Sequence, residues 1–158
     1  MTVNFSVVGI FYRYAVDFTQ VPGRTVLDVM NYITKVDKNF TLTELTFQGN
    51  RIVNSLGYVH PADFTGRTGI TYPQGMYQLA QSFTDPTPNP YSVWQYYLFD
   101  QNGIRQPAQA DFSYTQAKVA DGWSIVWRLV TICNAPTAVA KRLRSLVPPE
   151  QQDALRIS

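Results

Sequence analysis

The chain has 158 residues and a formal net charge of +2, with 45% apolar but only 15% charged residues. This length is enough for one domain with its own core, and the charge excludes a general nucleic-acid binder, which needs a concentrated basic face. Ten Tyr, nine Phe and three Trp partly replace the missing charges. The sequence therefore predicts either an exposed aromatic surface for a partner or ligand, or neutral polar groups over a large aromatic core.

The cysteine content and the lengths of the apolar stretches indicate the cellular compartment. Cys133 alone excludes an internal disulfide and a cysteine-based zinc site. Its place at the end of an apolar run predicts a buried, unreactive thiol. No stretch approaches the roughly twenty apolar residues of a membrane span, and the first residues lack the basic region of a signal peptide. We therefore expect a cytoplasmic protein without a membrane span.

The first third of the chain predicts a hairpin followed by a helix. Apolar and polar residues alternate over 3–21, which is typical of paired strands, and Pro22 and Gly23 end them. Thr25 and Asp28 have the spacing of a capping box at a helix start. The residues at helical spacing that follow form one apolar stripe, which must lie on a sheet: Val26, Val29, Met30, Ile33 and Val36.

A second hairpin and a long glycine- and proline-rich segment come next. Residues 40–58 contain two strand-like runs around Gln48-Gly49-Asn50-Arg51, and Gly-Asn is a favourable pair for a two-residue turn. The prolines and glycines of 57–90 predict a lid-like loop, because a connection of this length inside a compact domain is usually functional. Only 74–83 fits a regular element, and its spacing suits a helix or a strand equally.

Two strands with all three tryptophans follow, and a basic tail ends the sequence. Residues 91–99 alternate as a pleated strand, whereas the run from Trp123 to Ile132 is apolar on both faces and predicts a central strand with packing on each side. Residues 134–158 carry a charge of +2 and predict a helical tail over 135–147. That helix would dock on the body through Val139, Leu143 and Leu146, pair with another subunit, or contact an anionic surface.

Four segments resemble the transcobalamin C-terminal-like family of β-grasp modules. They are VPGRTVLDVMNYI, GNRIVNSLGYV, SVWQYYLFDQNG and VADGWSIVWRLV, and the family pattern spans residues 3–132. The resemblance implies an α+β fold with a β-grasp-like mixed sheet packed on one amphipathic helix. Residues 1–133 would form this domain, 57–90 its lid-like loop and 134–158 a C-terminal helical tail. Cobalamin binding is not implied, because vitamin carriers need a separate helical domain for it.

The sequence contains no recognisable motif for catalysis, metal binding or cofactor binding. His60 is the only histidine, and no Gly-x-Ser-x-Gly elbow accompanies it. No Asp or Glu pair has ligand spacing on a helix, so no metal site is predicted. The glycine stretches lack the Gly-Lys-Ser/Thr of a phosphate loop. We expect no cofactor.

The one group of residues that suggests a binding site is aromatic. Its members, with two arginines as polar groups, are predicted to line an apolar pocket beneath the loop: Trp94, Tyr96, Trp123, Tyr58, His60, Tyr72, Tyr77, Arg67 and Arg128. The alternative is that the tryptophans belong to the core, and for Trp127 the core is favoured.

Three functions remain open on this evidence. The favoured one is a non-catalytic module that binds a small apolar or aromatic molecule or a peptide segment. A cofactor-free enzyme of the isomerase or cyclase type could use the same pocket, with Asp17, Glu44, His60, Asp100 or a tyrosine as its acid or base. In a homo-oligomeric interaction protein, the third alternative, the aromatic face would be only an interface.

Overall fold

The chain has a mixed α+β fold, as the sequence predicts, in a computed structural model that describes residues 1–84, 86–106 and 113–133. One helix, α1, spans Val26–Val36. The strands are β1 (Thr2–Val7), β2 (Tyr12–Asp17), β3 (Phe40–Phe47), β4 (Asn50–His60), β5 (Phe64–Thr65), β6 (Thr71–Tyr72), β7 (Gly75–Ala80), β8 (Tyr91–Phe99) and β9 (Ser124–Ile132). The predicted tail helix over 135–147 lies outside the described residues.

A four-stranded sheet with the order β2-β1-β9-β8 forms the centre of the fold. The neighbouring strands β1 and β9 are parallel, whereas the outer strands β2 and β8 pair antiparallel with them. The predicted central position of the last strand is confirmed, but the prediction that both of its faces are packed is wrong, because only one face meets the core. Alternate side chains such as Phe5, Ile125 and Trp127 are buried in the core. Val126 and Arg128 lie on the opposite face, which we call the open face, and there Arg128 is exposed.

Helix α1 begins and packs as its sequence predicts. The Thr25 hydroxyl accepts from the Asp28 amide at 3.1 Å, and the Asp28 carboxylate accepts from the Thr25 amide at 2.9 Å, which completes the capping box. Four members of the predicted stripe are fully buried: Val26, Val29, Met30 and Ile33. The fifth, Val36, is 45% exposed. It was wrongly placed in the stripe, because the helix ends there and its last turn lies beyond the core.

The connection between β8 and β9 provides hydrogen-bond acceptors for the first amides of α1. The Val26 amide donates to the Ala117 carbonyl at 2.9 Å, and the Leu27 amide donates to the Tyr114 carbonyl at 3.0 Å. These amides have no partner within a helix, so the connection satisfies them. Both Tyr114 and Ala117 are buried as a result.

The second hairpin forms as predicted, but its turn is shifted by one residue. Phe47 pairs with Asn50, so the central turn residues are Gln48 and Gly49, with φ of 50° and 79°. Two positive φ values define the turn that matches strand twist. The prediction of a Gly-Asn turn was wrong, because pairing along the whole hairpin fixes the register and Asn50 already belongs to β4.

Residues 57–90 are not the irregular loop that their glycines and prolines predict. The segment includes the end of β4, the short pair β5 and β6, and β7, which pairs antiparallel with β4 from Ser55↔Ala80 to His60↔Gly75. The ambiguous residues 74–83 are thus largely strand. Pairing with β4 decides this, since the local sequence suits both structures equally. The result is a three-stranded sheet, β3-β4-β7.

Cys133 follows the last residue of β9 and is exposed, contrary to the buried thiol predicted from the apolar strand before it. The sheet ends at Ile132, so the next side chain is no longer enclosed by neighbouring strands. No helix in the described ranges combines the length and apolar character that crossing a bilayer requires.

Candidate functional site

Four of the predicted site residues lie together in one aromatic cluster. Tyr58, His60, Tyr72 and Tyr77 pack with Phe11 and Phe64, and we call these six residues the His60 cluster. The rings of His60 and Phe64 stack at 3.9 Å, and those of Phe64 and Tyr72 stack at 5.3 Å. Contacts between the rings take up much of their apolar surface.

Two polar groups of the His60 cluster are also hydrogen-bonded. His60 is 9% exposed, and its Nε2 lies 2.9 Å from the Ile10 carbonyl oxygen. Since a carbonyl only accepts, this nitrogen carries the proton. The Tyr77 hydroxyl donates to the Pro73 carbonyl at 2.7 Å. The cluster therefore fastens the β5–β6 hairpin to the body.

Phe11 was not foreseen in this cluster. It has a φ of 57°, which is unusual for a bulky residue, and its ring centroid lies 4.4 Å from that of Tyr72. The turn between β1 and β2 thus directs an aromatic ring toward the β5–β6 hairpin. Nothing in the local sequence could have identified this, because the contact joins residues 11 and 72, which are far apart in the chain.

The predicted site residues on β8 and near β9 belong to the core or its edge. Tyr96 is buried, with its ring centroid 5.3 Å from that of Trp127. The Trp94 Nε1 donates to the Asn54 carbonyl at 3.2 Å, at the irregularity in β4 pairing. Trp123 is partly buried against the same core. The favoured core position of Trp127, which is 2% exposed, matches its placement in the structure.

Neither of the two predicted arginines belongs to the His60 cluster, and the two lie in different parts of the fold. Arg67 is exposed in the turn between β5 and β6, whereas Arg128 is exposed on the open face of β9. The structure therefore does not gather all nine predicted residues around one pocket.

A cleft of about 220 Å³ lies on the open face, where Arg128 is joined by four residues that the sequence prediction missed. Tyr97 on β8 is directly opposite Val126 on β9, and both are half-buried. The other lining residues are Phe99 and Arg105. The cleft thus has an apolar floor and two guanidinium groups at its margin.

The turn after β8 places Arg105 over the cleft. One Asp100 carboxylate oxygen accepts from the amides of Asn102 at 2.8 Å and Ile104 at 3.0 Å. This turn brings the chain back so that Arg105 pairs with Phe99. Its guanidinium carbon lies 4.7 Å from the centroid of the Tyr97 ring, within the range of a cation–π interaction.

The charges of the cleft are not balanced by neighbouring acids. Among the described residues the only ion pair is Arg51 with Glu44, at 2.8 Å, so neither Arg105 nor Arg128 has a carboxylate partner there. Gln95 lies directly opposite Arg128 on β8, and its Oε1 accepts from the Tyr97 hydroxyl at 2.9 Å. The margin of the cleft is therefore rich in hydrogen-bond donors.

The acids and bases considered for catalysis each have a structural partner. Hydrogen bonds from the Thr19 side chain and amide lower the pKa of Asp17. Glu44 binds Arg51 through both oxygens and accepts from the Tyr114 hydroxyl. Burial, followed by the bond to Glu44, raises the pKa of Tyr114. None of Asp17, Glu44, His60 and Asp100 lines the cleft.

No group of three or more His, Cys, Asp or Glu side chains in the described ranges is arranged to hold a metal ion. In comparison with known proteins, the sequence matches no protein-family model, and no curated protein matches it at a significant level.

Proposed function

We propose that the chain is a non-catalytic module with a β-grasp-like fold that binds a small, flat molecule in the open-face cleft. The observation that carries this proposal is the cleft itself, where Tyr97, Phe99 and Val126 form an apolar floor beside two arginines that have no acidic partner within residues 1–84, 86–106 and 113–133. An apolar surface with a few convergent polar groups is the usual composition of a small-molecule site.

The order of elements supports the β-grasp-like part of the proposal. Two hairpins flank one helix, and the first and last strands are parallel neighbours in the centre of a mixed sheet. The segments that resemble the transcobalamin C-terminal-like family coincide with the start of α1, β4, β8 and β9. This agreement supports the resemblance without implying the ligand of any relative.

The location of the cleft changes the predicted site. A pocket beneath residues 57–90 would need free aromatic faces, whereas the rings of the His60 cluster stack on one another. Of the predicted residues, only Arg128 lines the open-face cleft. The other lining residues are Tyr97, Phe99, Arg105 and Val126. An enzyme is less well supported, because Asp17, Glu44, His60 and Asp100 do not line the cleft. The one tyrosine that does, Tyr97, donates its hydroxyl proton to Gln95.

The proposal is tested by recording ¹H–¹⁵N and ¹H–¹³C spectra while the full chain is titrated with a panel of small aromatic fragments. We expect shift changes to concentrate at Tyr97, Phe99 and Val126. The variant Tyr97→Ala should lose them, because it removes both the floor of the cleft and the ring that holds Arg105.

A matched control is Tyr72→Ala, which removes a half-buried ring from the His60 cluster on a different part of the molecule. It should retain the fragment response at the cleft. Shift changes that map to the His60 cluster instead would transfer the site to the region beneath 57–90. Fragment-independent self-association, measured by sedimentation and abolished by Tyr97→Ala, would favour the homo-oligomer alternative.

A further inference from the structure

We infer that the open-face cleft selects a carboxylate carried on a small aromatic body, an inference that rests on the proposed binding function and specifies its ligand. The cleft combines an apolar floor with two guanidinium groups, so it complements a molecule that is flat at one end and anionic at the other. A neutral aromatic molecule would leave both arginines without a charged partner.

The sign of the preferred charge follows from the side chains that line or border the cleft. Among the described residues, those that line the cleft include two arginines and no acid. Asp100, which belongs to the same turn as Arg105, already accepts from two backbone amides and, at 3.3 Å, from the Gln106 side chain. Its carboxylate is therefore occupied in shaping the turn and is not placed as the partner of either guanidinium.

A carboxylate fits the donors better than a phosphate does. Phosphate sites commonly use backbone amides at helix starts or nests, but β9 is paired on both sides and its amides belong to the sheet. The first amides of α1 are taken by the Ala117 and Tyr114 carbonyls. The donors that line the cleft are the two guanidinium side chains, and a planar guanidinium matches a planar carboxylate through two parallel hydrogen bonds.

The size of the cleft limits the body that carries the carboxylate. At about 220 Å³ the cleft is smaller than the roughly 300–1,000 Å³ of sites that enclose drug-sized ligands. A single aromatic ring can lie on Phe99 and Val126 while its carboxylate meets the arginines. Arg105 is suited to this role, because stacking on Tyr97 restrains the guanidinium plane, and the N–H groups at the edge of that plane can donate to a carboxylate.

The test is a set of NMR titrations of the full chain with sodium benzoate, benzamide, sodium acetate and sodium phosphate at constant ionic strength. We expect benzoate to shift the cleft signals with an affinity at least tenfold higher than that of benzamide, which lacks the charge, or acetate, which lacks the ring. A tenfold difference is the effect of losing one charge-assisted hydrogen bond. Phosphate should bind more weakly than benzoate.

Variants separate the specific contact from the general positive charge of the open face. Arg128→Gln and Arg105→Gln should each weaken benzoate binding about tenfold or more. Arg13→Gln is the matched control, because Arg13 is exposed on β2 and does not line the cleft. It should leave the affinity unchanged.

Each other outcome has a defined consequence. Equal binding of benzamide and benzoate at the cleft would overturn the carboxylate preference and leave the binding function standing. Phosphate binding as strong as that of benzoate, or an Arg13→Gln effect equal to that of Arg128→Gln, would overturn it as well. If no compound shifts the cleft signals, both the ligand class and the proposed site are wrong.

Discussion

The His60 cluster and the open-face cleft both contain aromatic residues, but they differ in whether the polar groups of their side chains have partners. In the His60 cluster each ring packs on others, and the polar atoms of His60 and Tyr77 bond to backbone carbonyls. In the cleft, Tyr97 and Phe99 are half-buried, as Tyr72 and Tyr77 are, but two guanidinium groups have no acidic partner in the part of the chain that the structure describes. Aromatic content alone therefore does not locate a site; unsatisfied polar groups beside exposed apolar surface are the better guide.

The polar side chains of the protein also fall into two kinds, those that are buried with a partner and those that are exposed at the cleft. Tyr12 and Tyr114 are buried and donate to the carboxylates of Asp37 and Glu44, which connect distant parts of the chain. Such satisfied pairs stabilise one packing arrangement. The arginines of the cleft are exposed instead, so their hydrogen-bonding capacity is available to a ligand.

The largest effect is expected for Trp127→Ala, in the core beneath the open face. Trp127 is 2% exposed, so removing its indole should lower the free energy of unfolding by about 3–5 kcal/mol. Urea denaturation measures this value. Arg128→Ala, the next residue on the opposite face, is the control and should change stability by no more than about 0.5 kcal/mol. Similar losses for both variants would show that the open face is also packed.

His60→Ala should destabilise the protein without affecting benzoate binding. The variant loses the stack on Phe64 and the hydrogen bond to the Ile10 carbonyl, which together stabilise by about 2–3 kcal/mol. Thermal unfolding and the benzoate titration are measured on the same sample. A variant of normal stability that no longer binds aromatic fragments would reverse the roles given to the two regions.

Stability should fall above about pH 10, through the satisfied tyrosines and not through the cleft. Burial, together with the bond to Asp37, raises the pKa of Tyr12, and burial with the bond to Glu44 raises that of Tyr114. The folded state therefore keeps protons that the unfolded chain releases near its ordinary pKa of about 10. The stabilisation is complete below that pH and is lost as the pH rises toward the folded pKa.

Each tyrosine contributes a slope of up to about 1.4 kcal/mol per pH unit in the alkaline range. Urea midpoints measured from about pH 8 to about pH 11 give this slope. Tyr114→Phe should lower stability near neutral pH and make the alkaline slope shallower. A slope unchanged by Tyr114→Phe would remove this tyrosine from the explanation.

A small effect on stability is expected for Phe99→Ala, in the cleft. Phe99 is half-buried at the end of β8, so its truncation should cost less than about 1 kcal/mol. The same variant should lose most of the benzoate response, because the ring forms part of the cleft floor. A large loss of stability would show that Phe99 belongs to the core. The cleft would then be a packed aromatic region like the His60 cluster.

Much of the fold was predictable because its signals are local. The Thr25 and Asp28 spacing determines the helix start, and the buried stripe from Val26 to Ile33 identifies its packed face. Alternation predicted β8 and β9. The same signals failed in 57–90, where β7 forms through pairing with β4, and at Val36 and Cys133, where the ends of elements decide exposure.

The candidate site was less predictable, and only Arg128 was found in advance among the five lining residues. Alternation places Tyr97 and Phe99 on the face of β8 opposite Tyr96, but it does not reveal which face meets the core. The sequence also gave no reason to place Arg105 beside Tyr97, since that contact depends on the turn at Asp100.

By itself, the sequence determined the α+β class, the helix with its capping box, and most of the strands, because capping and periodicity act between residues a few positions apart. Tertiary structure alone decided that β1 and β9 lie side by side, that the His60 cluster packs on itself, and that the cleft opens on the other face of the sheet. Those features join residues distant in the chain. Their stability depends on which surfaces are buried together, and a local pattern does not contain that information.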